Sequence, residues 1–446
     1  MTAISSVGNL SVNTLPGATK LATTAAAVDT LQTPPLSSTT VSLGQSAAAS
    51  PVYSLPRVST AATQTDNQGT LSVKTASGAE VELTQASDGS GIEIKVNKGT
   101  LSEAERSALE KLSDGFKKAM EGLTGQPPRL DLSGLTKFNS AVLTSVDLQA
   151  KVTGENKLTL AFHADTNTRS VKSTGTLGTV DISVDMSKRA ILGNEGQQQR
   201  ALSQYLTQFD RAQSRGEGNS TLMAMFKDAF TALNSHYDSS SPAKSRQQTL
   251  YLSVTRTDKN MLTGLADFTA SVTQTPQSPN PIRLSEADTF SYQVSQTSTL
   301  SGTSDQNRNI TQKQQSHLTA SFHKALTSGL QLALTADRNA QNYFYTQIDD
   351  KAESTTEVQY RKGALVSATL DQLASTSTRE QKYVRGELMS DTTTPEQKST
   401  STDLLGKLQS AWKAENPRVS FADYLRQHTL PDFGEEVLLN SDPSSL

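Results

Sequence analysis

Five histidines (His163, His236, His317, His323 and His428) and no cysteine restrict the chemistry this chain can perform. Without cysteine there is no disulfide, no thiolate nucleophile and no Cys-ligated metal. His317 and His323 are six residues apart. On a straight strand they share a face with side chains about 20 Å apart, too far for one metal, and both read as wet-face residues. Phe162-His163 reads as a core phenylalanine beside an exposed histidine. Carboxylates are the one rich source of hard ligands and acid–base groups. A Glu/Asp pair would suit glycoside hydrolysis, but no linear spacing sets two of them across a cleft. Trp412 is the only tryptophan, and in the apolar line Leu404, Leu405, Leu408, Trp412 it reads as packing. Tyr343, Phe344 and Tyr345 form the densest aromatic cluster. A strand there points both tyrosines one way and Phe344 the other, giving either a core strand or a contact patch.

The common catalytic signatures are missing from the sequence. There is no GxGxxG, no GxSxG elbow and no HExxH, and the single Gly-Lys step, Gly406-Lys407, lacks the upstream glycine of a P-loop. Asp305-Gln306-Asn307-Arg308-Asn309 opens like a calcium loop, but Ile310 replaces the turn glycine and Ser316 the terminal Glu, which rejects an EF-hand. Asp165-Thr166-Asn167 likewise reads as a polar turn. The sequence therefore nominates no catalytic, cofactor-binding or metal-binding residue, and no cofactor.

The elements that would position any site are easier to read. Leu71/Val73, Val81/Leu83 and Ile92/Ile94/Val96 alternate with polar residues, with Ser77-Gly78 and Asp88 to Gly91 as turns, predicting a three-stranded meander over 70–97. A helix follows, with Thr100 and Glu103 as capping box and a stripe of Leu101, Ala104, Ala108, Leu112, Phe116, Ala119 and Leu123. Gly125 and Pro127-Pro128 close it. Strands are next expected through 141–186, from Val146/Leu148/Ala150/Val152, Leu158/Leu160/Phe162, Val171 and Val180/Ile182/Val184. A helical hairpin follows, broken at Arg215 to Gly218. From about 247 to 388 alternation recurs in Leu250/Leu252/Val254, Phe268/Ala270/Val272, Phe290/Tyr292/Val294, Leu318/Ala320/Phe322, Leu330/Leu332/Leu334 and Val366/Ala368/Leu370. Ser, Thr and Gln fill the opposite faces, so one face is expected to be wet. Short helices near 402–414 and 420–427, the second capped by Ser420, precede an acidic, frayed tail.

The first 65 residues carry only Lys20, Asp29 and Arg57 as charges among Ser, Thr, Ala and Pro, too little apolar surface to repay ordering. In composition this leader resembles the Ser/Thr-rich, uncleaved starts of substrates of flagellar and related type III export systems. That resemblance implies export, with the leader as address. The start has no basic n-region or continuous apolar run, and no stretch is apolar enough for a membrane helix. The cytoplasm and export without a cleaved signal both stay open. A net charge of −3 gives no electrostatic reason to expect nucleic acid.

The expected fold is α+β: antiparallel β-meanders packed with amphipathic helices, preceded by a disordered Ser/Thr/Ala-rich leader. The expected segments are the leader (1–68), an α+β region (69–240), a β-rich antiparallel region (247–390) and C-terminal helices with the acidic tail (400–446). The expected function is a non-catalytic structural or interaction protein of a bacterium, exported or surface-associated, with a protein partner, no nucleic acid and no membrane span. Its alternatives are a carboxylate-dependent hydrolase on the β-rich body and a substrate or regulator of a type III-like export system. Phe116, central in the helical stripe, is expected to anchor that helix, so Phe116→Ala should cost about 3–5 kcal/mol. An unchanged melting temperature would put the stripe in solvent.

Overall fold

The computed structural model describes residues 67–85, 91–237, 252–415, 418–427 and 431–446. Among them, every strand belongs to one antiparallel sheet of 13 strands. The first hairpins are β1 (Gln68–Thr75), β2 (Glu80–Gln85) and β3 (Ile92–Lys98). Helix α1 (Glu103–Thr124) and the single turn α2 (Ser133–Thr136) return the chain to β4 (Leu143–Val152), which pairs with β1 rather than β3. From there each strand pairs with the next: β5 (Leu158–Asp165), β6 (Thr168–Gly175), β7 (Gly178–Asp185), β8 (Asp267–Gln274), β9 (Thr289–Ser304), β10 (Asn307–Ala325), β11 (Tyr343–Arg361), β12 (Ala364–Val384) and β13 (Glu387–Asp403). Between β7 and β8 the chain makes α3 (Glu195–Gly216), α4 (Ser220–Leu233) and the short α5 (Arg256–Lys259), and it closes with α6 (Leu404–Glu415) and α7 (Phe421–Gln427). The α+β reading stands, but the three expected meander-plus-helix blocks contribute to a single sheet. The edges are β3 and β13, with β1 and β4 stitching the start of the chain into its middle.

One face of this sheet carries the helices. Alternation puts Leu71, Val73, Leu83, Val146 and Leu148 under α1, whose Leu109, Leu112, Phe116, Ala119 and Leu123 are buried against them. Phe116 is 1% exposed, as its place in the stripe required. The helix starts two residues later than expected. Ser102 and Glu105 form the capping box, and Glu105 also accepts from the Ser77 amide at 3.2 Å. Those backbone and hydroxyl donors hold the buried Glu105 carboxyl down at about 2. Gly115 and Gly134 bring α1 and α2 into backbone contact: a Cβ on Gly134 would lie 2.5 Å from Gly115 Cα. Helices α3 and α4 form the expected hairpin, with Glu217 in the left-handed region. They bury an aromatic cluster of Tyr205, Phe209, Phe226 and Phe230 on Phe268 and Tyr292 of the sheet.

From the second half of β9 onward the inner face changes character. Gln296, Ser298, Gln312, Gln314, Ser354 and Thr356 occupy core positions and are at most 1% exposed. The glutamines find their partners in the backbones of two irregular segments laid on the sheet. Gln296 Nε2 donates to the carbonyls of Leu265 (3.0 Å) and Ala266 (3.2 Å), and the Thr263 amide donates to Gln312 Oε1 at 2.9 Å. Gln314 Nε2 and Ser354 Oγ both donate to the Val437 carbonyl, at 2.7 and 2.9 Å. Gln314 Oε1 accepts from the Leu439 amide (3.0 Å) and the Tyr205 hydroxyl (2.8 Å). Gln372 Nε2 reaches the Glu436 and Leu438 carbonyls, both at 3.1 Å. Thus the Ser/Thr/Gln content is not confined to a wet face. Nor is the tail frayed: Phe433, Val437, Leu438 and Leu439 are buried.

Other expectations shift for related reasons. Leu252 and Val254 lie in irregular chain leading to the capped turn α5, and Leu250 lies outside the described residues. Leu330, Leu332 and Leu334 belong to the loop between β10 and β11, where Leu332 and Leu334 pack on tyrosines. Strand β13 runs on to Asp403, past the expected end of the β-rich region near 390. Gln68 already belongs to β1, while the rest of the expected leader, 1–66, is outside the described residues. Two hairpin turns share one device. Lys362-Gly363 and Arg385-Gly386 have consecutive positive φ, as I′ turns need. Each turn is caught by a Gln-Asn pair: the Gly363 and Gly386 amides donate to the Gln306 and Gln341 carbonyls, and the Lys362 and Arg385 amides to the Asn307 and Asn342 side chains.

Replacing Gln314 by Leu leaves two buried donors of its Oε1 without an acceptor, the Leu439 amide and the Tyr205 hydroxyl. At about 1–3 kcal/mol per orphaned group the expected loss is about 2–5 kcal/mol in chemical denaturation. Gln315→Leu, on the opposite and exposed side of the same strand, should stay within about 0.5 kcal/mol.

Candidate functional site

The face of the sheet away from the helices is polar over most of its width and is covered by a loop only at the end that holds His323, Tyr343 and Tyr345. Cross-strand register lines up polar side chains from strand to strand, for example Ser170, Ser183, Thr269, Ser295 and Gln315 on β6 to β10. At about 4.8 Å per strand, thirteen strands span about 58 Å.

The histidines punctuate this face. His163 is half-buried between two carboxylates, with Nδ1 2.6 Å from Asp147 and Nε2 3.2 Å from Asp165. Partial burial pulls its pKa down. The hydrogen bonds and charges of Asp147 and Asp165 outweigh that, so the imidazole titrates above its ordinary value. Asp165 also caps the β5–β6 turn, accepting from the Asn167 and Thr168 amides at 2.7 Å each, which makes Asp165-Thr166-Asn167 the polar turn it was read as. His317 is exposed and sits 2.7 Å from Asp349.

His323 shares the face of His317 but is not wet. Its side chain is fully enclosed by the segment before β9 and by Tyr343 and Tyr345, whose rings lie 5.0 and 4.8 Å away. Its Nδ1 meets Asp288 at 2.6 Å, and Glu286 lies 3.4 Å from Nε2 and accepts from the Tyr343 hydroxyl at 2.6 Å. Tyr343 and Tyr345 therefore pack under a loop, and the contact-patch reading of that cluster fails. His236 lies past the end of α4, its carbonyl held with that of Leu233 by the Arg169 guanidinium, and His428 is outside the described residues.

The remaining candidates resolve into structural roles. Asp305 caps the Ser253 amide at 2.7 Å. Arg308, two residues after Gln306, forms a buried ion pair with Asp258 at 2.8 Å, joined by the Tyr360 hydroxyl at 2.7 Å. A guanidinium thus neutralises the carboxylate buried near the calcium-like stretch. Trp412 packs on Phe421 and donates to the Val419 carbonyl at 3.0 Å. A groove of about 720 Å³ between the α1–α2 connection and α4 is crossed by the bidentate Arg129–Asp228 pair. Among the described residues no group of three or more His, Asp or Glu is arranged to hold a metal.

The two sheet edges differ from the rest. β13 is exposed on both faces along nearly all of its 17 residues, with Leu388 and Met389, near the hairpin tip, 50% and 62% exposed. Pro395 sits within it, a residue confined to edges because it cannot donate to a ladder. β3 continues the inner apolar face past α1, leaving Ile94 and Val96 42% and 44% exposed. The alternation on β3 was visible in the sequence, but its exposure was not. Nor was the openness of β13, because its Ser- and Thr-rich residues carry no apolar alternation and the expected β region ended near 390.

A raised His163 pKa stabilises the fold while the imidazole is protonated. The gain is fully present below the unfolded value near 6.5 and is lost as pH rises through the higher folded value. Half-exposed, the cluster should contribute no more than about 1 kcal/mol. His163→Gln should therefore be less stable than wild type at pH 5 and equal to it in mildly alkaline buffer, in paired denaturation curves. The opposite trend would show that burial dominates.

Comparison with known proteins finds no family model, no curated protein and no solved structure that matches this chain.

Proposed function

We propose that this is a non-catalytic interaction protein that presents the open part of its sheet, above all the β12–β13 hairpin, to a protein partner. The observation that carries this reading is β13 itself. Ordering a strand costs about 1–2 kcal/mol per residue in backbone entropy, and β13 recovers little of it by burial. It is held by its ladder to β12 along its length and by side-chain pairs such as Arg379–Asp391 at 2.6 Å. The I′ turn caught by Gln341 and Asn342 gives the hairpin a defined position. A strand kept rigid, uncovered and rich in Thr and Ser offers hydroxyls and a free backbone edge to a polar protein surface. Leu388 and Met389 add an apolar contact at its tip.

A photo-crosslinker placed at Met389 or Thr393 of the full chain, in the cells that make it, should trap an adduct of discrete mass. The same probe at Lys172, on the outer face, should not. Adducts at Lys172 alone, or at none of the three, would count against the hairpin as the contact surface.

A further inference from the structure

We propose that β3 is a homodimerisation edge, and that a second copy of this chain pairs with it antiparallel about a two-fold axis at Ile94. The edge lacks the protection that β13 has. It contains no proline, and its inner face is apolar, with Ile94 and Val96 lying opposite the buried Leu83 and Val81 of β2.

The residue order of β3 is self-complementary in one register. Directly opposed residues in an antiparallel pair lie on the same face, so the two positions must sum to an even number. Centring the axis on Ile94 sets Ile94 against Ile94 and Ile92 against Val96, joining the two apolar stripes on the side of α1. On the other face it sets Glu93 against Lys95, twice by symmetry. Lys95 already faces Glu82 on β2, so it would then lie between two carboxylates. Moving the axis to Lys95 opposes Lys95 to itself, and moving it to Val96 sets Ile94 against Lys98. Charge and polarity select the first register. A two-fold through this edge is isologous and closes at two copies, because the far edge β13 takes no part.

The contact is small, so the dimer is concentration-dependent. It should be followed by sedimentation equilibrium of the full chain over roughly 1 μM to 1 mM, where a marginal interface changes occupancy. Glu93→Lys turns both cross-pairs repulsive and should weaken association about tenfold or more. Adding Lys95→Glu restores them in reverse and should recover most of the loss. Ile94→Cys places two thiols at the axis of a chain with no other cysteine, so diamide oxidation should give a disulfide-linked dimer. A chain that stays monomeric to the top of that range overturns the proposal. So does a dimer indifferent to Glu93→Lys, a double variant as weak as the single one, or an Ile94→Cys chain that does not cross-link.

Discussion

The fold depends on amide side chains standing in for a missing strand. A sheet of thirteen strands is wider than two helices of 22 residues, each about 33 Å long, can cover. The chain is also poor in apolar residues, at 34%. Beyond β9 it covers the inner face with irregular backbone instead. Buried irregular backbone is costly unless each N–H and C=O finds a partner. Gln296, Gln312, Gln314, Ser354 and Gln372 supply those partners from core positions of the sheet. The result is a buried interface built from polar groups between separate apolar clusters, which is why a low apolar content is compatible with a covered inner face.

This explains what could be read in advance and what could not. Where burial uses Leu, Val and Phe, as in β1 to β8 and α1, alternation and helical stripes located the elements closely. Where burial uses Gln, Ser and Thr, the same polar letters describe both faces of a strand. The covered side of β10 and β11 was indistinguishable from the wet one. Leu332 and Leu334 failed as a strand because their apolar period serves loop packing on Tyr343, Tyr345 and Tyr383. The capping box expected from the sequence, Thr100/Glu103, and the one that forms, Ser102/Glu105, are equivalent as patterns. The second prevails because Glu105 also receives the Ser77 amide from the β1–β2 turn, a contact 28 positions away in sequence.

The histidines teach the same lesson about context. His317 and His323 lie on the same side of one strand, yet one is wet and the other sealed, because the segment before β9 folds over only one end of the strand. His163 gained two carboxylate neighbours from β4 and from its own turn. Spacing along the chain could reveal neither arrangement, since each depends on which strand lies alongside.

The C-terminal strap has a consequence for the order of events during synthesis. Apart from the β1–β4 pairing and the link from β7 to β8, strands join their nearest predecessors, so ladders can zip locally as the chain emerges. Gln314 of β10 and Gln372 of β12, however, wait for Val437 to Leu439, more than 60 residues downstream in both cases. The segment that seals the far half of the sheet thus follows every strand in the sequence. A nascent chain with all its strands but without Glu436 to Leu439 carries unsatisfied amides in its interior, and cooperative closure is deferred until that segment has emerged.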